Sequence, residues 1–406
     1  MPFHNRDFIF FGLQAWDIEI GCNPRNMALV MAKQQNRILY VNRPLDRITY
    51  LTKRQDKKIQ TRIASWKKGI DELNEVQPNI YVLNPRTIHE SINFLPEGYW
   101  FDKLNYINAK RLTKQIKLAA ERLNFKNPVL IIDNDFIKAF YLKELLPDSM
   151  LVYYIRDFLI AYPYFKKHQK MWPAFISKAD RVAANSTYLT QYALQYNPNS
   201  FDIGQGCDVA LFYRNDYTLP EDMQHIKGLI VGYCGALIAN RLDIDLIAKI
   251  ASGRPQWNIV LVGKEDEIFR TSALHQLPNV FFLGPKSFEQ IPAYVQFFDI
   301  CINPQVVNEI TVGNYPLKID EYLAAGKPVV ATDTVAMELF KEYVYLCRTA
   351  EEYIAAIENA LTGETEEKAR ARKQFAASHT WEACVEKLYE GMEQKQCKPI
   401  VNNELF

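Results

Sequence analysis

Short apolar runs bounded by turn residues alternate with helix-period segments from one end of the chain to the other. This pattern points to βαβ units, because a strand covered on both faces by crossover helices is apolar throughout instead of at every second residue. Two sets of runs separate. The first takes in Phe8–Leu13, a helix over Asn26–Gln35, and strands at Ile38–Val41, Ile80–Leu83, Val129–Ile132, Leu151–Tyr154 and Arg181–Ala184. The second holds strands at Leu229–Tyr233, Asn258–Val262, Val280–Leu283, Ile300–Asn303 and Val329–Ala331. Between them Tyr213–His225 is polar and aperiodic, and reads as a linker. The spacing therefore predicts parallel-sheet α/β domains over 1–213 and 214–380. An amphipathic helix and tail follow over 381–406, where Trp381, Cys384, Val385, Leu388 and Met392 share a face able to pack back on the N-terminal domain. A chain of 406 residues is long enough for two such cores.

Charge and cysteine usage narrow the functional classes. Lys plus Arg number 48 and Asp plus Glu 47, so the net charge of +1 gives no field to attract nucleic acid. Seven cysteines without C-x-x-C pairing read as reduced thiols, and no apolar run is long enough to span a bilayer. The start MPFHNRDFIFFGLQAW lacks a charged n-region and a small-residue cleavage site, so a cytoplasmic location is expected. Locally the charge is uneven. From Lys53 to Lys68 seven basic residues face one acid, and Phe94, Tyr99, Trp100, Phe101 and Tyr106 interleave with Lys103, Lys110 and Arg111. Such a surface suits peripheral contact with an anionic membrane at its inner face; the same residues also fit a solvated loop followed by a core helix.

The most specific segment is GNYPLKIDEYLAAGKPVVAT, Gly313–Thr332. Pro316 pre-sets the first turn of a helix, Leu317, Ile319, Tyr322 and Leu323 form its buried face, and Gly326 ends it before the next strand. Exposed amides and the positive dipole end at such a start favour phosphate. The segment resembles the donor-site helix and strand of GT-B glycosyltransferases, especially retaining nucleotide-sugar enzymes. The resemblance implies an α/β GT-B fold of two Rossmann-like domains facing a cleft, with a C-terminal helix. It gives Glu321 to the ribose hydroxyls and Gly313, Asn314 and Tyr315 to the loop facing the diphosphate; Lys318, one turn into the helix beside that loop, is placed as a cationic partner of the diphosphate. Family members carry a second glutamate eight residues before the first, contacting the transferred sugar. Gly313 stands there in this chain, and Glu309 lies four residues further upstream.

Other segments are similar to the same family. VGYCGALIANRLDIDL resembles the opening of its C-terminal domain, with Gly235 near the strand end. Arg241 there is either a diphosphate-binding cation or a solvated helix-start residue. Lys264, after the next strand, stands at a strand carboxyl end, where open α/β sheets bind ligands. The Gly284–Ser287 loop matches the base-binding edge, and IGQGCDVALF resembles the hinge element, with Gln205 replacing an asparagine. On the acceptor side QAWDIEIGCNPR resembles the open loop after the first strand, placing Asp17, Glu19, Gly21 and Arg25. This stretch is similar to that of cell-surface polysaccharide glycosyltransferases, including the teichuronic acid pathway type. Asp157, just past a strand end, fits a catalytic carboxylate or a helix cap equally.

The resemblance implies sugar transfer from a UDP- or GDP-sugar to a saccharide or lipid-linked acceptor. Asp157, Arg241 and Lys264 are the candidate catalytic residues, and no metal or other cofactor is expected. The D-N-D at Asp133–Asp135 falls in the first domain, away from the diphosphate. A non-catalytic nucleotide-sugar-binding subunit and a UDP-sugar epimerase are the alternatives.

Overall fold

The structure is a computed structural model that describes residues 3–17, 22–53, 56–67, 72–214 and 216–394. It divides into two compact units, one of residues 1–204 with 384–406 and one of residues 205–383. The sequence reading set the divisions after 213 and 380.

The first unit holds β1 (Asp7–Gly12), β2 (Arg37–Val41), β3 (Leu45–Asp46), β4 (Leu73–Gln77), β5 (Ile80–Leu83), β6 (Ile88–His89), β7 (Val129–Asp133), β8 (Leu151–Ile155), β9 (Arg181–Ala184) and β10 (Ser200–Asp202). Eight of these form one sheet in the order β10-β9-β8-β7-β1-β2-β5-β4, and β3 pairs with β6. All pairings in the large sheet are parallel except β4 with β5. Strands β1, β7, β8 and β9 are buried along their whole length, as expected of strands covered on both faces. β4 has no such run, because LNEVQ is an edge strand with most of its residues exposed.

The last helix, Trp381–Glu393, carries its later turns into this unit. Tyr389 stacks on Phe3 with ring centroids 5.0 Å apart, accepts from Asn36 Nδ2 at 3.0 Å and donates to Gln34 Oε1 at 2.9 Å. A Cβ on Gly391 would lie 2.1 Å from the Phe201 ring, so the helix approaches β10 through a position without a side chain. Buried Arg181 closes the contact, donating from Nε to the Gly391 carbonyl at 3.1 Å and from a terminal nitrogen to the Gln394 carbonyl. A cation at a helix C-terminus satisfies carbonyls that have no partner within the helix.

The second unit contains β11 (Ile230–Cys234), β12 (Asn258–Val262), β13 (Val280–Gly284), β14 (Ile300–Asn303), β15 (Val329–Thr332) and β16 (Tyr345–Cys347). They form a fully parallel sheet in the order β13-β12-β11-β14-β15-β16. One core, with Phe298, Ile319, Tyr322 and Phe340, covers one face; another, with Ile247, Ile250, Tyr353 and Ile357, covers the other. Two Rossmann-like parallel sheets are thus present. The polar stretch 213–225 packs against the second unit: Met223 is fully buried and Asp222 receives Lys286 Nζ at 2.6 Å and the Tyr294 hydroxyl at 2.9 Å. Its contacts combine a single buried apolar side chain, Met223, with side-chain hydrogen bonds, which leaves no hydrophobic period to read. The six described free cysteines are buried, and no described helix is long and apolar enough to cross a membrane.

Replacing Arg181 by Met keeps the packing volume but strands two carbonyls at the end of the last helix. Urea unfolding of Arg181→Met is expected to show a loss of ~2–3 kcal/mol, the scale of charge-assisted hydrogen bonds. A change below 0.5 kcal/mol would show that the helix is held by its apolar face alone.

Candidate functional site

The carboxyl edge of the second sheet is built on an approach of two backbones. Leaving β11 and β12, the chain brings Gly263 so close to Gly235 that a Cβ on Gly263 would sit 1.7 Å from the Gly235 carbonyl oxygen. Hydrogen bonds lock this edge: Gly235 N–H donates to Val262 O at 2.9 Å, Leu237 N–H to Lys264 O at 2.9 Å, and Gly263 N–H to Gly284 O at 3.0 Å. Gly235, Lys264 and Gly284, separated by up to fifty residues in sequence, are thereby placed on one ledge. Gly235 has φ +147° and an added Cβ would meet Lys318 Cε at 3.1 Å, so the ledge runs directly under the next element.

That element is the helix Leu317–Ala324, preceded by Pro316 as the sequence predicts. Ile319, Tyr322 and Leu323 are fully buried, and Tyr322 accepts from Cys234 N–H at 2.8 Å, which fixes the helix to the end of β11. Lys318 then reaches over the Tyr233 ring, with Nζ 5.1 Å from its centroid. Glu321 lies one turn on, and burial pushes its carboxyl up to about 7, with Asp320 adding to the rise and Lys318 opposing it. Behind the helix fully buried Asp320 is 2.7 Å from His379 Nδ1; burial raises its pKa against that contact. Tyr233, Asp320 and His379 were not singled out from sequence. Asp320 and His379 are far apart in the chain and meet only when residues 375–380 fold under the helix.

The loop between β14 and this helix is organised by Asn308. Its Oδ1 accepts from Ile310 N–H at 2.8 Å and Thr311 N–H at 3.1 Å, while Nδ2 donates to Asn240 O at 2.9 Å. Val306 N–H donates to Arg241 O at 2.9 Å. Arg241 is therefore tied by its backbone to the loop that leads to Gly313, Asn314 and Tyr315. Gly313 and Tyr315 are buried, Asn314 is half-buried, and Glu309 and Lys264 are exposed. In the base-edge loop Lys286 is committed to Asp222.

In the first unit a different cluster occupies the sheet's carboxyl edge. Arg156 Nε lies 2.7 Å from Asp133 Oδ1 and a terminal nitrogen 3.2 Å from Asp157 Oδ2, and Asn134 Nδ2 donates to the same Asp157 oxygen at 2.9 Å. Asp157 is thus held rigidly and remains partly exposed. Asp17 is exposed and Arg25 donates to the Trp16 carbonyl at 3.4 Å; Glu19 and Gly21 lie outside the described residues. A cavity of about 440 Å³ beside this loop is lined by Trp16, Asp17, Asn42, Arg62, Asn74 and Asn84, among others. Among the described residues no group of three His, Cys, Asp or Glu side chains gathers to hold a metal ion. Asp135 of the D-N-D caps a short helix at Lys138 N–H.

Residues 228–363, which include every candidate of the second unit, match the profile of a family described as glycosyl transferases group 1. A Bacillus subtilis (strain 168) protein assigned by name to teichuronic acid biosynthesis as a glycosyltransferase, TuaH, is 29% identical over 220 residues. The match covers 51% of this chain and 55% of TuaH, so the chain spans about half the length of the curated relative it matches. Sucrose-phosphate synthase from Thermosynechococcus elongatus superposes with a TM-score of 0.69 at 14% identity, over 95% of this chain and 98% of that one. Anabaena HepE in complex with UDP gives 0.64 at 16% identity, over 95% and 98%; its complex with UDP-glucose gives 0.62 at 17%, over 94% and 98%. At these identities the likeness shows the fold, the two Rossmann-like sheets of GT-B glycosyltransferases.

The raised Glu321 carboxyl makes a pH prediction. Between the ordinary value of 4.5 and about 7 the folded protein holds a proton that the unfolded chain has lost, so stability falls as pH rises through that window. Glu321→Gln mimics the protonated acid and removes the fall. Unfolding free energies at pH 5 and pH 8 should therefore diverge, the variant gaining on the order of 2 kcal/mol over wild type at pH 8. Parallel profiles would show that Glu321 ionises normally.

Proposed function

We propose that this protein is a glycosyltransferase that moves a sugar from a nucleoside diphosphate sugar to a saccharide or lipid-linked acceptor, in cell-surface polysaccharide synthesis. The observation that carries the reading is the convergence of Gly235, Lys264, Gly284, Lys318 and Glu321 on one sheet edge, inside the segment that matches the group 1 profile. The solved complexes of HepE with UDP and UDP-glucose support a nucleotide-sugar donor.

In the proposed reaction the bond between the sugar anomeric carbon and the β-phosphate oxygen breaks, and the phosphate keeps the electron pair. An acceptor oxygen bonds to the anomeric carbon and gives up its proton to the departing phosphate, which leaves as the nucleoside diphosphate. Charge accumulates on the departing diphosphate, so cations and amides fixed before the reaction supply the largest stabilisation. Lys318, Lys264 and Arg241 take that role, the glycine ledge lets the backbone approach the phosphates, and Glu321 accepts from the ribose hydroxyls. Asp157, immobilised by Asn134 and Arg156, takes the acceptor hydroxyl. Retention of anomeric configuration belongs to the same proposal, on the resemblance of residues 313–332, and the anomeric proton coupling of the product checks it. No metal or other cofactor is required in this scheme.

Titration against UDP, GDP, ADP and CMP compounds names the base. With the ligand so found, Glu321→Ala should weaken binding by ~1.5–3 kcal/mol; wild-type affinity would end the ribose assignment. Changing Arg241 and Lys264 together to Gln should cost the nucleoside diphosphate far more than the bare nucleoside. Equal losses would remove both from the phosphates.

A cytoplasmic location with peripheral attachment to the inner face of the membrane completes the proposal. Ile48, Leu51, Phe94, Tyr99 and Trp100 are all exposed, and Lys103 Nζ stands 5.3 Å from the Trp100 ring centroid and 5.6 Å from that of Tyr99. Phe101 is core and Arg62 turns inward to the Arg43 carbonyl, so only part of the basic and aromatic stretch faces out; Arg54 and Lys68 lie outside the described residues. Each cation near an anionic surface contributes up to ~1 kcal/mol, and salt screens it. Co-sedimentation with anionic vesicles is expected at low salt and to weaken at high salt. Equal, negligible binding to anionic and neutral vesicles would overturn the attachment.

A further inference from the structure

Beside the saturated Arg156 network, the first unit holds a second charged cluster whose groups are not satisfied. Three segments supply it, each following the carboxyl end of a strand: Arg43 after β2, His89 after β5 and Lys138 after β7. These strands lie close together in the order β7-β1-β2-β5, so the cluster occupies the edge where open α/β sheets receive ligands. His89 is 1% exposed, and neither Nδ1 nor Nε2 has a hydrogen-bond partner. A buried ring nitrogen left in that state costs about 1–3 kcal/mol, and most buried side-chain polar atoms are bonded. Among the described residues His168 shares the state but stacks on Phe101 with ring centroids 4.1 Å apart, away from any cation cluster of this kind. Among the described residues the Lys138 ammonium makes no hydrogen bond or ion pair. Arg43 Nε lies 3.1 Å from Asp135 Oδ2, yet the two atoms are not aligned as a hydrogen bond.

The carboxylates nearby are already engaged. Asp46 caps the helix Arg47–Thr52 through Thr49 and also accepts from the Ser91 hydroxyl; Glu90 is held by Arg47 and Arg111; Asp135 caps Lys138 N–H. Four cations, Arg43, Arg47, Arg111 and Lys138, thus stand against three carboxylates. Burial first, then the charges of Lys138, Arg111 and Arg43, press the His89 ring down to about 3, with Asp46 opposing; burial and Arg43 lower Lys138 to about 8, with Asp135 and Asp46 opposing. The Tyr164 hydroxyl, which also feels Asp135, Arg43 and Asp46, donates to Asn93. A bound anion would satisfy the orphaned groups together, accepting from the Lys138 ammonium, an imidazole N–H and the guanidinium of Arg43.

We propose that Arg43, His89 and Lys138 form a binding site for a phosphate group, as a phosphomonoester or a diphosphate. This deepens the glycosyltransferase reading and rests on it for one point, that the phosphate belongs to the acceptor. The exposed Ile48 and Leu51 follow Asp46 directly and Phe94 follows Ser91, so apolar side chains flank the same two segments that frame the cluster. A lipid phosphate and the phosphate of a soluble sugar share the chemistry that the cluster recognises.

The test uses the full chain with Arg241→Gln, Lys264→Gln and Lys318→Gln introduced, which removes the three cations proposed for the diphosphate at the second unit. Pyrophosphate is titrated at pH 7 while the His89 ring nitrogen signals are followed by NMR, assigned by their loss in His89→Gln. Binding is expected to shift the His89 ring nitrogen signals at pH 7 and, in a pH series, to raise the His89 pKa by two units or more. Affinity should fall as pH rises above about 8, where Lys138 loses its charge. Lys138→Met should weaken binding at least tenfold. If that variant fails to fold, the His89 shift in the parent decides alone. No His89 response to 20 mM phosphate or pyrophosphate, or a response that survives Lys138→Met unchanged, overturns the site. Neutral vesicles with and without a lipid phosphomonoester separate the sources: capture that needs the phosphate lipid and Lys138 marks a lipid-linked ligand, and a His89 response to soluble phosphate without capture marks a water-soluble one. Failure of nucleotide binding in the wild-type protein, by contrast, strikes the glycosyltransferase reading and leaves this result standing.

Discussion

Burial of parallel strands on both faces is the constraint on which the rest of each unit depends. When helices cover both faces, loops at the strand ends are the place where polar groups can meet ligand and water together. In the second unit this brings the ends of β11, β12 and β13 so near one another that Gly263 fits against the Gly235 carbonyl only because it has no side chain. The ledge, and everything stacked on it, follows from that contact.

The helix Leu317–Ala324 turns the ledge into an electrostatic device. Its buried face and the Tyr322 hydrogen bond to β11 fix its position, so Lys318 and Glu321 project with little freedom. Burial beside Asp320 raises the Glu321 carboxyl, and a polar partner such as a ribose would return part of the solvation the group has lost. Asp320 and His379 support the helix from behind without reaching the ledge, which separates the groups that hold the site from those that can meet a ligand.

The first unit shows the same edge in two states of satisfaction. Asp133, Asn134, Arg156 and Asp157 exchange their hydrogen bonds among themselves and form a closed, rigid network. Nearby, Arg43 Nε and both His89 ring nitrogens are buried without hydrogen-bond partners. Buried polar groups cost free energy when unpaired, so the second cluster carries a cost that the first, with its groups positioned by one another, does not.

Much of this was legible in the sequence. The uninterrupted apolar runs located the buried strands β1, β7, β8, β12 and β14, because burial on both faces leaves its mark in every residue. Pro316 and Gly326 bounded the ledge helix, since backbone conformation at helix ends is a local property. What lacked a local signature was missed. β4 is exposed, β3, β6, β10 and β16 are two or three residues long, and residues 213–225 pack by Met223 and side-chain hydrogen bonds. The amino-acid sequence by itself determined the two α/β sets and the ledge helix with its buried residues Ile319, Tyr322 and Leu323. Tertiary structure alone decided that Gly263 meets Gly235, that His379 meets Asp320, and that His89 and Lys138 share one cluster. Those pairings join residues brought together by the order of strands in a sheet, which period and composition do not encode.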